Sequence, residues 1–418
     1  MVHQSPRSSA EYEPLMRRWG EHFTCIAPDT PGFGQSDPLP GAPEIGDFAD
    51  ALGAFVDAIG VGRCAAYGFH SGGIILMALL KRQPARFSAV AIGGYAIWTA
   101  DEMRLFGEHY LPEFHPAPYG EHLAWLWNRI LEQSWFFPWF DVRDAARLSV
   151  AHADVGRVQQ AVMEMLDAGN AYRAGYGAVL RAPRDIPDPD APCPPTLITA
   201  YDGDPLQAHI ARLGALPPHW QAHAVATSQQ HQNESLAFLA ARAGDAPCPP
   251  LAEDDGEGWV AVGDTLLHWR GARGADALHL HAPGAELTNP APGGLAIDAP
   301  GHGLSDRAAD PCAAVEDAAR ALGAGTIAWP APPPGDAALL YPDLTPDRFG
   351  GHLLRAWSAA RAEALFAPWY AADKVHAIAV DAAAIAPAAI ARRARARLRA
   401  GDSAAAWHHL LTEMDQGE

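Results

Sequence analysis

A histidine stands at the apex of a glycine-framed turn, and an imidazole placed there is suited to take or give a proton near neutral pH. The segment reads Gly68-Phe69-His70-Ser71-Gly72-Gly73. It follows the apolar run Cys64-Ala65-Ala66-Tyr67 and precedes Ile74-Ile75-Leu76-Met77-Ala78-Leu79-Leu80, so the order is strand, sharp turn, helix. Such an elbow lifts one side chain off the edge of a sheet. It needs small residues two positions before and two after the apex, because strand and helix pack closely there. Gly68 and Gly72 meet that need only if the apex is His70. With Ser71 at the apex the small positions would fall on Phe69 and Gly73, and a phenylalanine does not fit. Ser71 is therefore expected to offer its backbone N–H to the site, and to act as a nucleophile only if the elbow is distorted.

The elements that must position this turn lie before and after it. His3-Gln4-Ser5-Pro6 reads as a turn, and Phe23-Thr24-Cys25-Ile26-Ala27 as a strand leading into Pro28-Asp29-Thr30-Pro31-Gly32-Phe33-Gly34-Gln35-Ser36-Asp37. Thr196-Leu197-Ile198-Thr199-Ala200 is a further strand, ending in Tyr201-Asp202-Gly203-Asp204-Pro205, and His231 precedes the helix-like Gln232-Asn233-Glu234-Ser235-Leu236-Ala237-Phe238. In this order the segments resemble the α/β-hydrolase fold superfamily.

The resemblance implies an α/β fold, a mainly parallel sheet carrying a helical cap. It also implies roles. Gln4 and Ser71 would supply the backbone donors of an oxyanion hole, Asp204 rather than Asp202 the acid, and His231 the histidine that Asp204 orients within hydrogen-bond reach. The departure is His70, where that pattern has serine. Three readings stay open: His70 and His231 acting as bases on water or substrate, Ser71 turning in as nucleophile, or an inactive site on a hydrolase-derived binding or scaffold module. The first is followed here, as hydrolysis of a small apolar ester, amide or related substrate. No metal and no organic cofactor is implied.

Composition narrows the partners. A chain of 418 residues exceeds the ~250–300 at which single cores split, so more than one domain is expected. The net charge of −19 comes with no long block of Lys or Arg, and Arg392-Arg393-Ala394-Arg395 reads as a solvated helix face, so nucleic acid is not an expected partner. Five widely separated cysteines without a Cys-x-x-Cys pair indicate neither a disulfide scaffold nor a zinc site. With no apolar leader and no apolar stretch of about 20 residues, neither export nor a membrane is expected, and the reading is cytoplasmic. Self-association is left open.

An internal repeat sets the domain plan. Tyr119-Gly120-Glu121-His122-Leu123 through Phe136-Phe137-Pro138-Trp139-Phe140 matches Phe349-Gly350-Gly351-His352-Leu353 through Phe366-Ala367-Pro368-Trp369-Tyr370 at a constant offset of 230 residues. Asp29 through Asp37 matches Asp298-Ala299-Pro300-Gly301-His302-Gly303-Leu304-Ser305-Asp306. The expected organisation is a hydrolase-like domain over 1–243 with its cap at about 101–184, a linker over 244–257, and a degenerate second copy over 258–418. In the first copy Met1-Val2 runs straight into the His3 turn, so its first strands are expected either upstream or supplied from elsewhere. The second opens with a hairpin, Trp259–Val262, a Gly263-Asp264 turn and Thr265–Trp269, and continues with a strand at 277–281. After the strand at 325–329 comes Pro330-Ala331-Pro332-Pro333-Pro334-Gly335 where an elbow belongs. No acid or histidine region follows, so this copy is read as non-catalytic. The aromatic residues of the repeated helical segment, and with them His122, are read as packing, because the degenerate copy keeps Phe366, Pro368 and Trp369.

Overall fold

The structure, a computed structural model, describes residues 1–242 and 256–417. The expected linker therefore lies outside the described residues except for 256 and 257. The chain forms two compact units; among the described residues the first comprises 1–115 and 126–242, and the second 116–125 and 256–417. Residues 116–125, inside the expected cap, thus group with the second unit.

In the first unit, four parallel strands stand in the order β1 (Cys64–Phe69), β2 (Phe87–Gly93), β3 (Thr196–Tyr201) and β4 (Gln221–Val225). The pairings β1/β2, β2/β3 and β3/β4 are all parallel, and β2 is buried along its whole length, as a strand covered on both faces must be. Helices α1 (Glu13–Trp19), α2 (Ile45–Ala58), α3 (Ser71–Arg82) and α8 (Ser228–Ala240) belong to this sheet. Helix α2 is amphipathic and is started by a capping box between Glu44 and Asp47, burying Ile45, Phe48, Ala49 and Leu52. Helix α3 is buried from Ser71 to Leu80, so no polar stripe was available to mark its boundaries. Between β2 and β3 the chain inserts α4 (Ala100–His109), α5 (Glu121–Gln133), α6 (Val155–Ala168) and α7 (Tyr172–Leu180).

One expected strand does not form. Thr24–Ala27 carries no ladder, although Ile26 O accepts from the Met1 ammonium at 2.6 Å. Its neighbour toward β1 is a single bridge, Val2 to Gly68, and a strand without a partner on either side leaves its backbone groups unpaired.

The second unit holds a five-stranded sheet in the order β5 (Glu257–Val262), β6 (Thr265–Gly271), β8 (Leu295–Ile297), β7 (Ala277–Leu280), β9 (Thr326–Ala328). The β5/β6 hairpin is antiparallel and turns at Gly263, whose φ of 59° suits glycine. Helix α9 (Pro311–Leu322) runs from an Asp310 N-cap to a left-handed Gly323 and buries Val315, Ala318 and Leu322 against the sheet. After β9 the chain has no regular structure until α10 (Ala337–Leu340), followed by α11 (Gly351–Glu363), α12 (Pro387–Ala400) and α13 (Ser403–Gly417).

Candidate active site

The elbow joins β1 to α3, and its glycines are enforced by contact. A Cβ on Gly72 would lie 1.9 Å from Val2 O, one on Gly68 2.7 Å from the Gly72 carbonyl carbon, and one on Gly73 2.4 Å from Ile92 Cγ2. His70 is at the apex with φ 47° and ψ −113°, the one non-glycine residue with positive φ among the described residues. That strained backbone is the mark of an elbow apex. The ring of Phe69 stacks on the His70 imidazole at 4.1 Å.

His70 reaches the acid directly. Its Nε2 lies 3.0 Å from Asp204 Oδ1, which also accepts the Leu206 N–H at 2.8 Å. Asp204 is buried at 5% exposure on the turn after β3. Burial pushes its carboxyl upward, but the His70 charge and hydrogen bond and the Leu206 N–H outweigh it, and the net shift is downward. An ionised carboxylate only accepts, so His70 donates through Nε2 and keeps Nδ1 as its basic nitrogen. The other oxygen, Asp204 Oδ2, is buried with no hydrogen-bond partner among the described residues. Gly94 (φ 59°) makes room for the pair, since a Cβ there would lie 2.6 Å from His70 Nε2 and 2.7 Å from Asp204 Oδ2.

His231 is held differently from expectation. It opens α8 and is 1% exposed, but its Nε2 lies 2.9 Å from the Tyr67 hydroxyl and its Nδ1 2.6 Å from Thr199 Oγ1. The partner of Asp204 is thus His70 and not His231. The reason is reach: an imidazole at the apex is longer than a serine hydroxyl and occupies the acid itself. Burial lowers the His231 pKa to about 4, so the ring is neutral and bridges two hydroxyls. Tyr67 and Thr199, on β1 and β3, carried no sequence signal beyond being polar in otherwise apolar strands.

The expected oxyanion donor at Gln4 is already engaged. Its backbone N–H donates to Glu11 Oε1 at 2.7 Å, and its side-chain amide to Glu11 Oε2 at 2.9 Å. Burial raises the Glu11 pKa to about 7. Ser71 begins α3, whose first N–H groups have no partner within the helix, while its hydroxyl accepts the Ser5 N–H at 2.6 Å. A third histidine went unnoticed in the sequence: His209 is buried near His70, accepts the Ile97 N–H on Nδ1 at 3.0 Å, and has its pKa lowered to about 4 by burial. Nothing in its surroundings, Gln207-Ala208-His209-Ile210, distinguishes it from a surface residue.

A cavity of about 180 Å³ opens beside the apex. His70, Ser71, Gln4 and Ser5 form its polar floor, and Trp98, Tyr110, Phe137, Tyr176 and Val179 its apolar walls. Among the described residues no helix is long and apolar enough to cross a membrane, and no cluster of His, Cys, Asp or Glu is arranged to hold a metal ion.

A parallel sheet whose first connection is a strained strand-turn-helix elbow, with a buried acid at the end of a later strand, defines a hydrolase-type α/β protein. The chain belongs to the alpha/beta hydrolase fold family, whose model matches residues 1–219, just over half of the 418. Haloalkane dehalogenase 2 of Mycobacterium tuberculosis is 32% identical over 106 residues, covering 25% of this chain and 37% of that protein. A homoserine O-succinyltransferase of Xanthomonas campestris is 29% identical over 181 residues, covering 39% of this chain and 47% of that protein. The chain spans less than half the length of these curated relatives. A carboxylesterase structure from Nitrososphaera gargenis is similar with a TM-score of 0.44 at 13% identity, over 57% of this chain and 88% of that one.

Proposed function

We propose that this protein is a hydrolase in which His70, held by Asp204, activates water against a small, largely apolar ester, amide or related substrate bound beneath the helical insert. The observation that carries the reading is the 3.0 Å contact between His70 Nε2 and Asp204 at the apex of the elbow. With Nε2–H committed to the carboxylate, Nδ1 takes a proton from water as its oxygen attacks the substrate carbonyl. The bond to the leaving group then breaks, and the imidazolium returns the proton to it, so no acyl-enzyme forms. The Ser71 N–H steadies the developing oxyanion. His231 is neutral and bridged by Tyr67 and Thr199, which suits a supporting role beneath the apex rather than that of the primary base.

A specific observation favours the inactive binding module instead: Glu11 occupies the Gln4 N–H. Turnover of p-nitrophenyl esters, amides and haloalkanes by the protein and by His70→Ala and Asp204→Asn distinguishes the two. Activity that falls by about 10²-fold in both variants supports the dyad. Absence of turnover across the panel supports the binding module.

We also infer that the second unit is a degenerate, non-catalytic duplicate of the first. The matching hydrogen bonds around Asp29 and Asp298 and from Trp139 and Trp369 support this, together with the proline-rich stretch that follows β9 where an elbow would stand.

A further inference from the structure

The helical insert contains a buried cation that forms no ion pair among the described residues. Arg129 on α5 is 2% exposed, and its Nε and Nη2 have no hydrogen-bond partner among the described residues. Its Nη1 donates to Gln133 Oε1 at 2.7 Å, and its guanidinium lies over Trp139 and Tyr172 at 5.2 and 5.9 Å. No ion pair to Arg129 occurs among the described residues. Ring contacts offset little of the cost of burying a charge, and two guanidinium nitrogens left without acceptors add to it. A site that tolerates this has an anion to gain.

The position says where the anion would come from. Gln133 lines the His70 cavity and also an adjoining polar cavity of about 140 Å³, and Gln4 and Ser5 are shared by the two as well. Tyr110 and Tyr176, which wall the His70 cavity, are hydrogen-bonded to each other at 3.2 Å and lie within electrostatic range of Arg129. Gln133, bonded to the guanidinium and lining both cavities, therefore links Arg129 to the substrate space.

The repeated segment argues against an architectural role. At the offset of 230 residues Trp139 corresponds to Trp369, and both indoles donate to a backbone carbonyl 29 residues earlier, Tyr110 O and Leu340 O, at 3.2 and 3.0 Å. Arg129 corresponds to Ala359, which is 1% exposed, and Gln133 to Glu363. The packing survives in the segment without an elbow, and the arginine does not.

We propose that Arg129 recognises a carboxylate on the substrate, which reaches it when the Gln133 amide swings aside, so that the cavity takes an apolar chain ending in an anionic group. This rests on the proposed function only in taking the His70 cavity as the substrate site, and its test requires no turnover. Calorimetric titration with hexanoate and with the neutral hexanamide should show the acid binding at least about 10-fold more tightly, the scale of a charge-assisted hydrogen bond. Arg129→Met should erase the difference. Gln133→Glu should also erase it, by setting a carboxylate against Arg129, and should raise the melting temperature, so the idea stays testable if Arg129→Met folds poorly. In His70→Ala the preference should persist. Equal affinity of the two probes for the unmodified protein would overturn the proposal. So would a preference that survives in Arg129→Met or Gln133→Glu, or one lost in His70→Ala alone, which would put the anion at the elbow. Failure of the ester panel with the hexanoate preference intact would remove the hydrolase and leave the anion site standing.

Discussion

The loop after Ala27 in the first unit and the loop after Ile297 in the second make the same bonds with different neighbours. Asp29 takes the N–H groups of Ser9 and Gln35 on its two carboxylate oxygens, and its carbonyl accepts from Ser36 Oγ. Asp298 takes those of Leu287 and Leu304, and its carbonyl accepts from Ser305 Oγ. In each unit a glycine with positive φ, Gly34 or Gly303, closes over the carboxylate, where a Cβ would meet it at 2.0 or 2.2 Å. In each a histidine, His3 or His281, accepts an N–H from the residue after the aspartate, Thr30 or Ala299, at 2.9 or 3.0 Å. Yet the first unit continues into an elbow, and the second into a proline-rich stretch without one. Bonds shared by both units build the scaffold; those found once, His70 with Asp204 above all, are where chemistry is to be sought.

Breaking the unshared bond should have the largest effect. His70→Ala and Asp204→Asn should each lower ester turnover by about 10²-fold or more while leaving the melting temperature nearly unchanged. If either variant keeps full activity, the distinction between shared scaffold and unshared chemistry fails at its main point. A shared bond should behave in the opposite way. Asp298→Ala removes a carboxylate, 2% exposed, that holds His268 and two N–H groups, and should destabilise the second unit by about 3 kcal/mol without altering turnover. Calorimetry combined with ester kinetics would read both effects, and a large kinetic loss would count against a non-catalytic second unit.

Acid should weaken both units for one physical reason. Burial lowers the pKa values of His3 and His231 in the first unit and of His302 in the second from 6.5 to about 4. In the unfolded chain these rings take a proton near 6.5, so their contribution is complete above that pH and is lost as the pH falls toward 4. Asp298, held below its ordinary value against burial by His268 and two N–H groups, adds a further loss below about 4. Melting temperatures measured from pH 7.5 to 4 should decline in step, and a flat profile would mean that these histidines are not buried as neutral rings. The smallest kinetic effect is expected from Ser71→Ala. It leaves the Ser5 N–H without its acceptor and should cost about 1–2 kcal/mol of stability, with turnover changed less than about threefold. A collapse of activity there, with His70→Ala unaffected, would move the nucleophile to Ser71.

Local rules made much of this molecule readable. The glycines at 68 and 72 set the register of the elbow because their Cβ atoms would collide with neighbouring backbone, a constraint visible as spacing. The β5/β6 hairpin followed from its glycine turn, and the lack of regular structure after β9 from the prolines at 330 and 332–334. Thr24–Ala27 has strand-like residues but no ladder, whereas Leu295–Ile297, beside the equivalent aspartate, is a strand because β6 and β7 flank it. Propensity is a property of the segment, and pairing belongs to its neighbours. The same limit governs the site. Sequence order pointed to Asp204 and His231 as partners, but a hydrogen bond is decided over the last few ångströms, and the imidazole at position 70 reaches the carboxylate across 134 positions of sequence. Glu11 takes the Gln4 N–H, and two guanidinium nitrogens of Arg129 are buried without a hydrogen-bond partner among the described residues, for a related reason. Which polar groups meet, and which are left unmatched, depends on how separate segments are brought together, and only the tertiary structure determines that.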